Sequence, residues 1–293
     1  MINILLDKLQ EYSITFTEFS IPENIVGIKP SHIGFDIVDN TLRGIKLYFK
    51  VNGEKTLNRY GISADNYEES LSFSEVLTGT EKRFRWICCP AFERFPYSQH
   101  KKTTLRLLSE TSCVHLNDEL LSIADTIQSK TGSQRFPLVG FGAVQEDRHC
   151  LKTLGAKFYY TFWQAQKWDS PYASNDSKVS LAALNALKSK MYNPIFYNHV
   201  IGITETALMF NNLISMYAVN ISMDEIAEKI YFVTDEEMWL NSLSSMHKAI
   251  FNVTLDSKLS KLFQELSMQG FRYEEIAYSV KNGKSNLMVY FMI

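Results

Sequence analysis

Cysteine, proline and glycine are all scarce in this chain of 293 residues, with 4, 7 and 13 copies respectively. Of Cys88, Cys89, Cys113 and Cys150 only the adjacent pair is close, a spacing that suits neither a disulfide nor a metal clasp. Free thiols in a reducing cytoplasm are therefore expected before a disulfide scaffold. Charge of one sign is lacking too: 30 Lys and Arg oppose 32 Asp and Glu, a net −2. Such a balance gives no drive toward nucleic acid or an anionic membrane. No apolar run is long enough to span a bilayer, and the opening INILLDKLQEY reads as a short amphipathic helix rather than a signal peptide. A Gly-rich phosphate loop, H-E-x-x-H and G-x-S-x-G are all missing, which leaves the common nucleotide, zinc-protease and hydrolase readings without support. The histidines (32, 100, 115, 149, 199 and 247) show no ligand spacing, and no Asp-Asp-x-x-Asp cluster offers carboxylates to magnesium. No residue is assigned to a metal.

What the chain does have is apolar and aromatic bulk, 45% and 13% of its residues. That suffices for a large core with an aromatic-lined cavity, and one domain over residues 1–293 is expected. The organising stretch is Gly34 to Val51, GFDIVDNTLRGIKLYFKV, which alternates as a β-hairpin around Asp39-Asn40-Thr41. Lys46 and Tyr48 lie two apart, so on a pleated strand they share a face, with Leu47 and Phe49 on the other. The pattern returns at Gly140–Val144 and Gly155–Tyr160, where Lys157 and Tyr159 occupy the same places. At the C-terminus Ile276–Val280 and Asn286–Ile293 flank an Asn-Gly turn. There Tyr290 keeps the tyrosine slot and Met288 replaces the lysine. A weaker copy over Val200–Val219 puts Ser215 and Tyr217 in the two slots, and an irregular one pairs Lys82–Cys89 with Thr103–Leu108. Repetition on this scale implies one supersecondary unit reused.

Between the hairpins, caps and periodicity predict helices over 2–12, Ser63–Leu77, Asn117–Lys130, Lys178–Met191, 222–230, 235–250 and 256–268. A polar loop is expected over Phe92–Lys102, and another over Trp168–Asp176. Antiparallel hairpins separated by helices predict an α+β fold, a barrel with the helices outside.

Repeated helix–hairpin units with D-x-V-D…K-x-Y-F resemble the soluble aromatic prenyltransferases of the ABBA, or prenyltransferase-barrel, fold. Residues 34–49 look most like the Lys-x-Tyr strands of the indole prenyltransferases. Residues 137–162 and 276–292 look like hairpins of bacterial indole-alkaloid and peptide members. The resemblance implies a ten-stranded antiparallel barrel ringed by helices, which five hairpins would supply. It also implies transfer of an allylic group, dimethylallyl or geranyl, from its diphosphate to an electron-rich aromatic acceptor in secondary metabolism. An indole-containing small molecule is the first choice of acceptor, and a peptide Tyr or Trp side chain the second. No cofactor is required by motif, and magnesium could enter with the diphosphate.

Ionising an allylic diphosphate needs donors for the leaving anion and a dry, π-rich wall for the cation. Lys46 and Lys157 are the candidate cationic donors, with Tyr48, Tyr159, Tyr217 and Tyr290 as the aromatic ring whose hydroxyls also reach phosphate. Ordinary core packing is the competing reading of those tyrosines. Asp36 and Glu205, each early in a hairpin's first arm, are the candidate catalytic carboxylates, for removing the final proton or anchoring an indole N–H. A solvated strand-end carboxylate is the competing reading of both. The basic run of Lys82, Arg83, Arg85, Arg94, Lys101, Lys102 and Arg106 reads as solvated surface before it reads as a phosphate clamp. Two rivals stand beside the enzyme: a barrel that binds a lipophilic ligand without chemistry, and an α+β protein whose hairpins are structural and hold Lys46 and Lys157 far apart.

Overall fold

In a computed structural model the described residues are 2–12, 29–52, 72–78, 83–88, 117–132, 138–147, 150–162, 177–209, 213–222, 226–234, 237–281 and 283–293. Helix α1 (Ile2–Glu11) precedes strands β1 (Pro30–Val38), β2 (Thr41–Asn52), β3 (Ser72–Thr78) and β4 (Arg83–Cys88). Helix α2 (Asn117–Thr131) leads to β5 (Leu138–Asp147) and β6 (Cys150–Thr161). Helices α3 (Ser177–Leu187) and α4 (Pro194–Leu208) precede β7 (Leu213–Ser222) and β8 (Ile226–Val233). Helices α5 (Trp239–Phe251) and α6 (Ser257–Met268) precede the final pair, β9 (Arg272–Lys281) and β10 (Lys284–Met292).

All ten strands belong to one antiparallel sheet in the order β3-β2-β1-β10-β9-β8-β7-β6-β5-β4. Its two ends, β3 and β4, lie side by side, so the sheet curls round into a barrel. Each strand therefore has an inner and an outer face. Outward residues such as Ile33, Phe35, Leu47, Phe158, Tyr217, Ile230, Phe232, Ile276 and Phe291 are buried in one core shared with the helices. Inward residues form a separate cluster of Tyr159, Met216, Ala218, Tyr231, Ala277, Met288 and Tyr290, with Tyr48 packed against it.

Local chemistry explains the punctuation. Asp39 and Asn40 both take positive φ, 47° and 62°, the backbone of a tight turn between twisted strands. Helix α4 starts at Pro194 because the Asn193 side chain accepts from the N–H groups of Ile195 and Phe196, leaving Pro without a donor to waste. Helix α6 is capped in the same way by Asp256.

Several sequence expectations are corrected. The helix expected to end at Leu77 is replaced over its last residues by β3, and its start at Ser63 lies outside the described residues. The fourth hairpin does not begin at Val200: residues 194–208 are helix, and the hairpin is β7 with β8. Residues 222–230, read as a helix, include most of β8. The reason is burial on both faces. Glu228, Ile230 and Phe232 enter the outer core while Lys229 and Tyr231 enter the barrel, so the strand has no simple polar–apolar alternation. Of the irregular copy, the described first arm is β4, which pairs with β5 and lies beside β3, while Thr103–Leu108 and both predicted loops lie outside the described residues.

Candidate functional site

The second strand of four hairpins carries the same three-residue unit: Lys46-Leu47-Tyr48 in β2, Lys157-Phe158-Tyr159 in β6, Lys229-Ile230-Tyr231 in β8 and Met288-Val289-Tyr290 in β10. The middle residue of each is buried in the outer core, which aims the flanking pair into the barrel. Four tyrosines then form a continuous arc. Ring centroids of Tyr159 and Tyr231 are 6.4 Å apart, those of Tyr231 and Tyr290 6.1 Å, and those of Tyr290 and Tyr48 5.9 Å. All three gaps fall in the range of favourable tilted and edge-on ring contacts.

The lysines thread between these rings. The Lys157 Nζ donates to the Tyr231 hydroxyl at 2.7 Å and sits 4.5 Å from the Tyr159 ring centre. The Lys229 Nζ donates to the Tyr290 hydroxyl at 2.6 Å and lies 5.0 Å from the ring centres of both Tyr231 and Tyr290. Lys157 and Lys229 are only 5% and 8% exposed, so each carries its charge largely out of water and beside aromatic faces. Met288 stands where a fourth lysine would. Its Sδ meets the Lys46 Nζ at 3.5 Å, is touched by the Lys229 Nζ, and accepts from the Tyr290 hydroxyl at 3.4 Å. Burial, then the neighbours Tyr48, Tyr231, Asp36 and Glu275, push the Tyr290 hydroxyl well above its ordinary titration range. It keeps its proton and remains a donor.

Two carboxyl groups share the interior. Asp36 on β1 forms an ion pair with Lys46 (2.9 Å to Oδ2) and accepts from the Asn286 Nδ2 at 3.2 Å. Burial alone would raise its pKa, but the charges of Lys46 and Lys229 and these two hydrogen bonds outweigh it and hold the carboxyl below its usual value. Glu275 on β9 is the cross-strand neighbour of Tyr290 and accepts from the Ser215 hydroxyl at 3.4 Å. Burial and the nearby Glu274 push it up to about 8 against the pull of Lys229, so near neutral pH it is mostly a neutral acid.

The structure thus brings together Asp36, Lys46, Tyr48, Lys157, Tyr159 and Tyr290 in one lumen. It does not bring Tyr217 there. Tyr217 is fully buried on the outer face, stacked on Tyr160 at 5.8 Å, with its hydroxyl donating to Glu228. The expectation put it in phase with Ser215, but the register shifts between Ile214 and Met216, and this irregularity turns Tyr217 outward. Nor does it bring Glu205, which lies exposed on α4 rather than in a strand arm. The sequence reading missed Lys229, Tyr231 and Glu275. A direct signal for the first two was present, a third Lys-x-Tyr, hidden by the helix assigned over it. Of the basic run, Arg83 and Arg85 lie in β4 and the rest fall outside the described residues. Among the described residues no three His, Cys, Asp or Glu side chains gather as a metal site, and no helix is long and apolar enough to cross a membrane.

No family profile and no curated protein matches the chain. Solved structures do. The NotF prenyltransferase superposes with a TM-score of 0.53 at 11% identity, over 89% of this chain and 80% of that one. NotF in complex with brevianamide F and DMSPP superposes with a TM-score of 0.58 at 9% identity, over 98% and 88%. At such identity the likeness is one of fold, and the fold is that of a prenyltransferase barrel.

Proposed function

We propose that the protein is an aromatic prenyltransferase that moves a dimethylallyl or geranyl group from its diphosphate to an electron-rich aromatic acceptor, an indole-containing small molecule before a peptide Tyr or Trp. The observation that carries this reading is the inward-facing alternation of lysine and tyrosine: Lys46, Lys157 and Lys229 interleaved with Tyr48, Tyr159, Tyr231 and Tyr290. An anion with many oxygens suits such an array, because every cation and hydroxyl is already aimed inward and needs no reorganisation as charge develops. A carbocation left after diphosphate departs meets aromatic faces in place of water. The fold shared with the NotF prenyltransferase, solved in complex with brevianamide F and DMSPP, supports the same reading.

In this reading Lys157, Lys229 and the tyrosine hydroxyls take the diphosphate. Lys46 joins them while keeping Asp36 ionised. The C–O bond of the allylic diphosphate breaks, the acceptor ring carbon bonds to the allylic cation, and Asp36 receives the proton that restores aromaticity. Magnesium, if it takes part, arrives on the diphosphate.

Titration with geranyl thiolodiphosphate, an unreactive donor analogue, with and without magnesium tests the donor half of this reading. An acceptor screen with dimethylallyl and geranyl diphosphates follows. Tight binding to wild type, weakened in Lys157→Ala and Lys229→Ala, is the expected result. Geraniol binding as tightly as the diphosphate analogue would favour a lipophilic-ligand barrel instead, a reading with one observation behind it: the apolar Met288 in the fourth lysine slot.

A further inference from the structure

Glu275 is a carboxyl group set inside an array that otherwise suits an anion. Its cross-strand neighbour Tyr290 points into the barrel, and directly opposed residues share a face. Ala277, two residues along the same strand, points inward as well. Tyr290 is buried, whereas Glu275 is only half-buried, so its carboxyl keeps a surface that a ligand in the lumen can reach. The charged and polar groups around it come from five strands. Lys157 of β6 and Lys229 of β8 act on it as positive neighbours, and Tyr290 of β10 lies opposite. The Ser215 hydroxyl of β7 donates to its Oε2 at 3.4 Å. Glu274 on β9 is its negative neighbour, itself tied to His32 of β1 at 3.2 Å.

An ionised carboxylate at this place would repel a diphosphate drawn in by the same two lysines, and it can only accept hydrogen bonds. A protonated carboxyl does the opposite. With Oε2 turned to Ser215, the acid O–H lies on Oε1 and is a donor, as the tyrosine hydroxyls are. Burial and Glu274 already favour the protonated form in the empty protein. A bound anion favours it further, and by linkage the proton favours the anion equally.

We propose that Glu275 is a diphosphate-binding residue that works as a neutral acid, its carboxyl O–H donating to a phosphate oxygen of the allylic donor. The lumen then takes its donor only when this carboxyl carries its proton. This deepens the prenyltransferase reading and rests on it.

The test titrates geranyl thiolodiphosphate into wild type and Glu275→Gln at about pH 7 and about pH 9. With a folded value of about 8, the protonated fraction falls about tenfold across that interval, and wild-type affinity should fall by the same factor. Glutamine keeps an N–H donor and has no proton to lose, so the variant should change by no more than about twofold. Equal pH dependence in the two proteins overturns the proposal. Wild type alone supplies a second readout, which stands even if the variant does not fold. Calorimetry in two buffers of different ionisation enthalpy should show about one proton taken up per analogue bound at about pH 9. Binding without proton uptake there overturns the proposal and leaves the donor site standing. If the analogue binds at neither pH, the prenyltransferase reading fails and this assignment fails with it.

Discussion

Lys229 reaches Tyr290, Met288 and two aromatic faces of the lumen from a single Nζ. Replacing it by alanine should cost geranyl thiolodiphosphate binding about 1.5–3 kcal/mol, the usual worth of a hydrogen bond to a charged group. Calorimetric titration of Lys229→Ala against wild type checks this, and an unchanged Kd would remove Lys229 from the anion site. Tyr217 and Tyr231 make a contrasting pair. Tyr217→Phe removes a donor from the buried Glu228 and should lower stability by about 1–3 kcal/mol in urea unfolding, with donor affinity unchanged. Tyr231→Phe should weaken the donor analogue several-fold, in addition to the stability lost when the buried Lys157 is deprived of its 2.7 Å acceptor. Unchanged donor affinity in Tyr231→Phe would remove its hydroxyl from the anion site.

At the scale of the strand, Gly34 is the position where a missing side chain does a specific job. A Cβ added there would fall 2.8 Å from the Tyr290 Cε1, because the tyrosine ring lies across β1 on its way toward Tyr48. Gly34→Ala should therefore keep the barrel but push the Tyr290 ring aside, loosening its contact with Lys229 and weakening the donor analogue several-fold. Unfolding curves show whether the fold survives, and an unchanged affinity would show that Tyr290 has room to adjust. Strands of this kind were legible in the sequence where their inner face was polar and their outer face apolar. Lys46 and Tyr48 opposed to Leu47 and Phe49 gave β2 away, and Asp39-Asn40 marked its turn. The alternation of Lys157 and Tyr159 with Phe158 and Tyr160 did the same for β6. In β8 the outer face carries Glu228 among its apolar residues, and Ile226, Lys229, Ile230 and Val233 recur at helical intervals, so local periodicity pointed to the wrong element. The polar Glu228 is buried only because Tyr217 and the Asn193 N–H are brought to it by other parts of the chain. No local pattern encodes that. The bulge that reverses Tyr217 is likewise a property of two strands in register, invisible in either alone.

For the whole molecule, the interior couples charge to stability through Glu275. Its ordinary value is 4.5 and its folded value about 8, so folding takes up a proton between the two. The folded state is favoured most below the lower value, and this contribution is lost as pH rises toward and past the upper one. Wild type should lose stability relative to Glu275→Gln between about pH 5 and 9, seen as converging or crossing urea midpoints. Parallel midpoints across that window would show that Glu275 does not titrate there. The strand order carries a consequence of another kind. β1 is bonded to β10, so His32 meets Met292 across nearly the full sequence, whereas β1 with β2 and β9 with β10 are local pairs. The wall cannot be completed during synthesis until residue 292 has left the ribosome. Until then β1 and β9 each present an open row of amides and carbonyls, ready to pair with another chain. A chain stopped before β10 would expose both edges at once. Such a chain is expected to aggregate, which light scattering of a chain ending at residue 283 would show.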